Sequence, residues 1–366
     1  MKVPLLDLKP QNSALAAQLK EAFQRVLESG TFILGPEVEQ FEQETAKLIG
    51  AKHAIGVSSG TDAILLPLMI LGIGPGDEVL VPSFTFFATA GCVSRVGARP
   101  VFVDSCPDSF NIDVKDAARR ITARTKAIIP VHLYGQTADM DAVMELARAN
   151  NLRVIEDAAQ ALGATYRGRQ AGSIGDFGTF SFFPTKNLGA LGDAGLLTTN
   201  DDALAETARL LRNHGAKQRY YHQRVGGNFR IDALQAALLS VKLPHLAEYS
   251  RRRAENAAYY SERLAWVSRL ILPCAYEHNG HIWNQYTVRV ADGARDGLKA
   301  HLASRGIGSE IYYPVPLHRQ ECFAPATEVL PVSEQLAAEC LSLPIYPDLT
   351  REQLDWVVQA IGEFLG

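Results

Sequence analysis

Residues 180–197, FSFFPTKNLGALGDAGLL, place one lysine, Lys186, between an apolar aromatic run and a glycine-rich turn. An ammonium group normally stays in water, because burying it without a partner drives its pKa well below about 10.4. Two readings of Lys186 follow. In one, a strand over Thr179 to Phe183 ends at Pro184 and the side chain reaches solvent. In the other, apolar neighbours keep the amine neutral and the glycines leave room for a carbonyl compound, to which it bonds as a Schiff base. The stretch also bears on the fold. GTFSFF and AGLLTT read as strands with no helix-length segment between them, so they pair tightly and make the sheet mixed.

Outward from there, short apolar runs alternate with helical patterns from residue 50: AIGV, DEVLVP, RPVFVD, KAIIPVHL and LRVIED, each separated from the next by a helix-length segment. That rhythm predicts an α/β fold with a large, mostly parallel sheet covered by helices on both faces. After Arg230 a long helical region runs from Ile231 to Ala265 and bends near Pro244, whose missing amide breaks the ladder. The boundary is placed there, giving a large domain over 1–245 and a smaller α+β domain over 246–366, which includes NQYTVRV, GLKAHLASRG, SEIYYP and REQLDWVVQAIGEFL.

At 366 residues the chain is long enough for such a pair, and its net charge of -4 offers no basic field to nucleic acid or an anionic membrane. A small molecule is the expected partner. The five cysteines form no CxxC pair, which argues against structural zinc or a disulfide framework; they read as reduced, buried thiols. No metal ligand set stands out. With neither a signal peptide nor a membrane-length apolar run, the protein is expected in the cytoplasm.

Ligands of open α/β sheets bind at the carboxyl ends of the strands, and three such exits carry polar or aromatic groups. In VSSGTDA (57–63), Gly60 and Thr61 stand between a strand and a helix, where amides and the positive helix end suit a phosphate; helix capping explains the same residues. In VIEDAAQ (154–160), Asp157 can keep a pyridine nitrogen protonated and Gln160 can bond another ring substituent, or Asp157 caps the next segment. In VPSFTFFATA (81–90), one of Phe84, Phe86 and Phe87 can stack on a flat ring, while at least one belongs to the core. A phosphate cup, a ring-nitrogen partner, a stacking face and an amine for an aldehyde together form the inventory of a pyridoxal phosphate site.

The ordered set SSGTDA, PSFTFFATA, PVHLYGQTADMD, EDAAQALGATY, SFFPTKNLGALGDAG and GGNFRIDALQAA resembles the DegT/DnrJ/EryC1/StrS sugar aminotransferases over residues 30–320. The resemblance implies the fold of the aspartate aminotransferase type (fold type I) and pyridoxal 5'-phosphate held as a Schiff base on Lys186. It implies Asp157 at the pyridine nitrogen, Phe86 on the ring face and Gln160 at the ring hydroxyl. Gly60, Thr61 and Ser181 would hold the phosphate. It further implies a homodimer with shared sites, Asn228 reaching the partner's phosphate, and Arg230 and His318 near a sugar nucleotide, against the alternative of a surface arginine and a satisfied loop histidine. Glutamate is the implied amino donor. A subset of the family carries histidine in place of the lysine and dehydrates its substrate; Lys186 favours amino transfer.

The segment before Asn228 contains Lys217, Arg219, Tyr220, Tyr221, His222 and Arg224, cations and aromatic faces that suit a diphosphate and a base, or an ordinary solvated loop. Tyr221 and His222 are the substrate contacts carried forward. The segment is similar to members that aminate C3 of a keto-hexose, so a UDP-linked 2-acetamido-3-keto sugar is expected, with a dTDP-linked 3-keto-6-deoxy sugar or C4 amination as alternatives. Phe229 departs from the serine of many such relatives. A nicotinamide oxidoreductase would need G-x-G-x-x-G after the first strand, which VSSGTDA lacks, and a regulator with a relic fold would have a damaged site.

Overall fold

A computed structural model describes residues 1–324 and 327–366. Its main sheet has seven strands, β1 (His53–Val57), β2 (Glu78–Pro82), β3 (Arg99–Val103), β4 (Thr125–Ile128), β5 (Arg153–Asp157), β6 (Phe177–Ser181) and β7 (Gly195–Thr199), in the order β1-β7-β6-β5-β4-β2-β3. β2 pairs in parallel with β3 and β4, β4 with β5, and β5 with β6. The short connection after β6 gives the antiparallel β6–β7 pair, and β7 is antiparallel to β1 as well. The sheet is therefore mixed, as the two runs around Lys186 predict.

β6 ends at Ser181, two residues before the expected Phe183. Phe182 still bonds Ala194 and is fully buried, but Phe183 is 49 % exposed and its carbonyl accepts the Lys186 amide at 2.9 Å, closing a turn. Glycine permits that turn's close approach: a Cβ at position 189 would lie 2.2 Å from the Pro184 carbonyl oxygen.

The helical region after Arg230 breaks where proline predicts, into Ala233–Lys242, a 3-10 turn over Leu243–His245 and a helix over Leu246–Leu264. Beyond it, β8 (Leu270–Ile271), β9 (Tyr286–Val290) and β10 (Cys340–Leu343) form an antiparallel sheet whose core also takes residues from the helices Arg295–Ser304 and Arg351–Leu365. Thr350 and Gln353 start the last helix with a reciprocal capping box. SEIYYP is not a strand; Glu310 makes a single bridge to Ser342 and the chain then runs across the large unit. The amino-terminal segment joins this second unit, with Val3 in its core and bonded to Gly306 and Gly308.

All five cysteines are free thiols, but only Cys92 and Cys340 are buried, while Cys274 and Cys322 are exposed, correcting the expectation of uniformly buried thiols. Cys274 lies on an irregular connection and Cys322 in a short 3-10 turn over Glu321–Phe323, both in linking segments at the surface. Among the described residues, no helix is long and apolar enough to cross a membrane.

Candidate active site

The carboxyl ends of β2, β5 and β6 and the start of the helix Gly60–Ile70 open onto a cavity of about 490 Å³. Gly60, Thr61, Phe86, Asp157, Gln160, Ser181 and Lys186 all line it. The strand-exit argument thus brings together residues spread over more than a hundred positions.

Local structure explains each placement. Ser59 caps the helix by accepting the Asp62 amide at 3.1 Å, so Gly60 and Thr61 form its first turn with unspent N–H groups. A Cβ on Gly60 would sit 2.6 Å from Ser181 Cβ, so only glycine lets this turn close on the end of β6. Among the three phenylalanines, Phe84 is the core residue at 1 % exposure, whereas Phe86 is 56 % exposed with its ring on the cavity. Phe87 packs on Phe323.

Asp157 ends β5 and is buried. Thr89 Oγ1 donates to its Oδ2 at 2.8 Å and the Ala159 amide to its Oδ1 at 3.2 Å, one donor per oxygen, which leaves acceptor capacity on both. Burial raises its pKa, opposed by Thr89, by the Ala159 amide and by the charge of Lys186. Gln160 accepts the Tyr134 amide at 2.7 Å and donates to Tyr313 Oη at 3.1 Å.

Lys186 projects into the cavity, where burial lowers its pKa to about 8 against the opposing pull of Asp157. The amine is thus close to half neutral at mildly alkaline pH, as a nucleophile toward an aldehyde requires. The sign for stability follows. A lysine whose folded pKa is depressed costs stability below pH 8, and the cost fades as pH rises toward the unfolded value near 10.5. Its upper bound is about 3 kcal/mol, reduced by the side chain's partial exposure. Cofactor-free Lys186→Met is therefore expected to melt at a higher temperature than wild type at pH 7, with the gap closing between pH 8 and 10.5 in thermal scans.

The residues fit pyridoxal phosphate on structural grounds: an amine with a lowered pKa, a buried carboxylate with free lone pairs, an exposed phenyl face and a glycine cradle at a helix start share one cavity of suitable size. Sequence reasoning missed Tyr312, Tyr313, Gln285 and Asp193, which also line it, and Thr89, which holds Asp157. Thr89 lies one helical turn beyond Phe86, in a motif already singled out; Tyr313 and Gln285 come from the second unit and leave no local signal. Thr89→Val is expected to raise the cofactor's dissociation constant about tenfold, the worth of one hydrogen bond to a charged group. Thr89→Ser should stay near wild type in the same titration of cofactor-stripped protein.

Five expected residues do not line the cavity of their own chain. Asn228 is exposed and bridges to Asn213, and Arg230 donates to Asn213 Oδ1. Tyr221 and His222 lie on an exposed hairpin formed by Ala216–Gln218 and Tyr221–His222. His318 is buried, with both ring nitrogens engaged by Ser83 and Glu334.

The DegT/DnrJ/EryC1/StrS aminotransferase family model matches residues 13–362. The chain is 48 % identical to a Geobacillus stearothermophilus protein named "Pleiotropic regulatory protein", over 100 % of this chain and 99 % of the relative. It is 46 % identical to an Acidithiobacillus ferrooxidans protein named a UDP-N-acetyl-3-dehydro-alpha-D-glucosamine 3-aminotransferase, over 99 % and 98 %. The crystal structure of S. venezuelae DesV in complex with a ketimine intermediate superposes with a TM-score of 0.96 at 46 % identity, covering 100 % of this chain and 98 % of that one. With the cavity and its lysine in place, the chain belongs to the DegT/DnrJ/EryC1/StrS family and is a pyridoxal phosphate-dependent sugar-nucleotide aminotransferase.

Proposed function

We propose that the enzyme moves an amino group from glutamate to C3 of a UDP-linked 2-acetamido-3-keto hexose. The observation that carries this reading is the 46 % identity, over nearly the full length of both chains, to the relative named for 3-amination of such a sugar. The resemblance of the Tyr220–Ile231 segment to C3-acting members points the same way. A dTDP-linked 3-keto-6-deoxy sugar is the second reading, supported by 46 % identity to a Streptomyces venezuelae protein named a dTDP-3-amino-3,4,6-trideoxy-alpha-D-glucose transaminase. The regulatory name of one relative does not alter the reading, because Lys186 and Asp157 face the cavity here.

When bound, the cofactor supplies an aldehyde that exchanges amines and a ring that accepts electrons from the adjacent carbon. Gly60, Thr61 and Ser181 would hold its phosphate, Phe86 its face, Gln160 its hydroxyl and Asp157 its ring nitrogen, whose positive charge the carboxylate keeps in place. Lys186 Nζ would be both the anchoring amine and, once released, the base that takes a proton from the donor's α-carbon and delivers it to the carbon that had carried the cofactor's aldehyde. Tyr312 and Tyr313 wall the cavity and limit water.

Charge supports a homodimer with shared sites. Among the described residues lining the cavity, Lys186 is the one cation, set against Asp157 and Asp193. The ligands are anionic: a diphosphate, a dicarboxylic amino acid and the cofactor's phosphate. Lys217, Arg219 and Arg224, with Tyr221, His222, Asn228 and Arg230, would approach a partner's cavity, and Tyr220, Tyr221 and Val225 are 69 % to 89 % exposed in this chain, as a surface awaiting a partner would be. Mixing inactive Lys186→Ala and Asn228→Ala chains should then restore about a quarter of the wild-type sites by random pairing of dimers. No recovery, with exchange of subunits verified by mass, would contradict shared sites. The free thiols suit a reducing cytoplasm.

The reading is tested by offering the enzyme glutamate with a panel of 3-keto and 4-keto nucleotide sugars and locating the new amine by NMR. Amination at C3 with a UDP-linked substrate preferred is expected; an amine formed at C4 alone would refute it.

A further inference from the structure

His318 sits at the end of the segment YYPVPLH, whose Tyr312 and Tyr313 form one wall of the cavity. Its side chain does not face that cavity. Ser83, fully buried between β2 and the Phe84–Phe86 turn, meets this segment three times: its carbonyl accepts the Leu317 amide at 2.8 Å, its Oγ accepts the His318 amide at 3.3 Å, and its Oγ lies 2.6 Å from His318 Nδ1. His318 Nε2 is 3.1 Å from Glu334 Oε1. A carboxylate only accepts, so Nε2 carries the hydrogen and Nδ1 accepts a hydrogen bond from the Ser83 hydroxyl, a fully satisfied neutral ring. Burial lowers the pKa of His318, against the pull of Glu334, and favours that neutral form.

Both sides of this clasp lead to the cavity. On the Ser83 side, Phe84 and Phe86 follow directly; on the His318 side, Tyr313 places its ring 6.2 Å from each of them and its hydroxyl against Gln160 Nε2. Tyr134 Oη also bonds the Tyr312 carbonyl. We infer that His318 is a positioning residue, which clasps the Tyr312–Tyr313 wall to the Ser83–Phe86 turn and so sets the gap between Tyr313 and Phe86 and the orientation of Gln160. Supporting partners of this kind fix site geometry that packing alone leaves loose. The inference differs from a direct contact of His318 with the sugar nucleotide, because it makes Ser83 equally necessary.

The test uses the full chain with Ser83→Ala, His318→Leu and His318→Asn. Asn keeps an acceptor where Nδ1 stands; Leu removes it. The readouts are cofactor affinity, by titrating pyridoxal phosphate into stripped protein, and the split of KM and kcat for the keto-sugar nucleotide. Ser83→Ala and His318→Leu are each expected to raise the cofactor's dissociation constant about tenfold, the lower range for supporting partners at metal sites. Each should also raise KM more than it lowers kcat, and His318→Asn should recover most of the loss. Ser83→Ala with wild-type affinity beside an impaired His318→Leu would overturn the clasp in favour of direct ligand contact. A drop in melting temperature alone, with affinity and KM unchanged, would overturn it in favour of a purely structural role. Should His318→Leu not fold, a wild-type affinity in Ser83→Ala overturns it equally. The affinity readout does not depend on which sugar is the substrate.

Discussion

Lys186→Ala is expected to lower kcat by about 10⁴-fold while leaving the circular dichroism spectrum and sugar-nucleotide binding near wild type. The reason is that one amine performs two tasks, anchoring the aldehyde and carrying the proton, and no neighbour can replace it. Among the other described residues lining the cavity there is no lysine, arginine or histidine. The backbone of the turn does not depend on the side chain, since its amide bond to Phe183 and the tight approach of Gly189 to Pro184 persist in the variant. Single-turnover assays and calorimetric binding of the sugar nucleotide separate the two quantities; a variant with more than a few per cent of wild-type turnover would contradict the role.

Asp157→Asn should be nearly as damaging. The change keeps the side chain's volume and lets Thr89 still donate to the one remaining oxygen, but turns an NH2 toward the Ala159 amide and removes the charge opposite the ring nitrogen. Removing one partner of a buried charge pair costs about 3–5 kcal/mol, or roughly 200- to 5,000-fold, expected here in kcat and in cofactor affinity together. The wild-type protein carries a related pH dependence. Because burial raises the pKa of Asp157 in the cofactor-free protein, the carboxylate is protonated at a higher pH than an ordinary aspartate. Cofactor affinity should fall as pH drops through that raised value, and Asp157→Asn should flatten this acid limb of the titration.

Much of this site was legible in the sequence because its pieces lie at strand ends. Ligands of open α/β sheets gather at the carboxyl ends of the strands, so VSSGTDA, VIEDAAQ and the run before Lys186, each the exit of a strand, could be placed on the same edge of the sheet. The mixed sheet was legible from the short link between GTFSFF and AGLLTT, too short for a crossover helix. What could not be read depends on contacts between distant segments. Tyr313 meets Gln160 across 153 positions and His318 meets Ser83 across 235, pairings that no local periodicity encodes. The strand end at Ser181 differs from the expected one because Phe182 and Phe183 are alike in hydrophobicity, and only the turn at Lys186 separates a buried ring from a half-exposed one on the cavity. Cys274 and Cys322 were misread for a similar reason: composition does not tell a loop thiol from a core thiol.

The account's central claim is that Lys186 is the residue that bonds the cofactor. Reducing the purified, yellow holoenzyme with borohydride, digesting it and mapping the peptides by mass spectrometry tests this directly. The expected result is a stable pyridoxyl adduct on the peptide containing Lys186, absent from Lys186→Ala; an adduct on any other lysine, or none in protein that retains its colour, would contradict it.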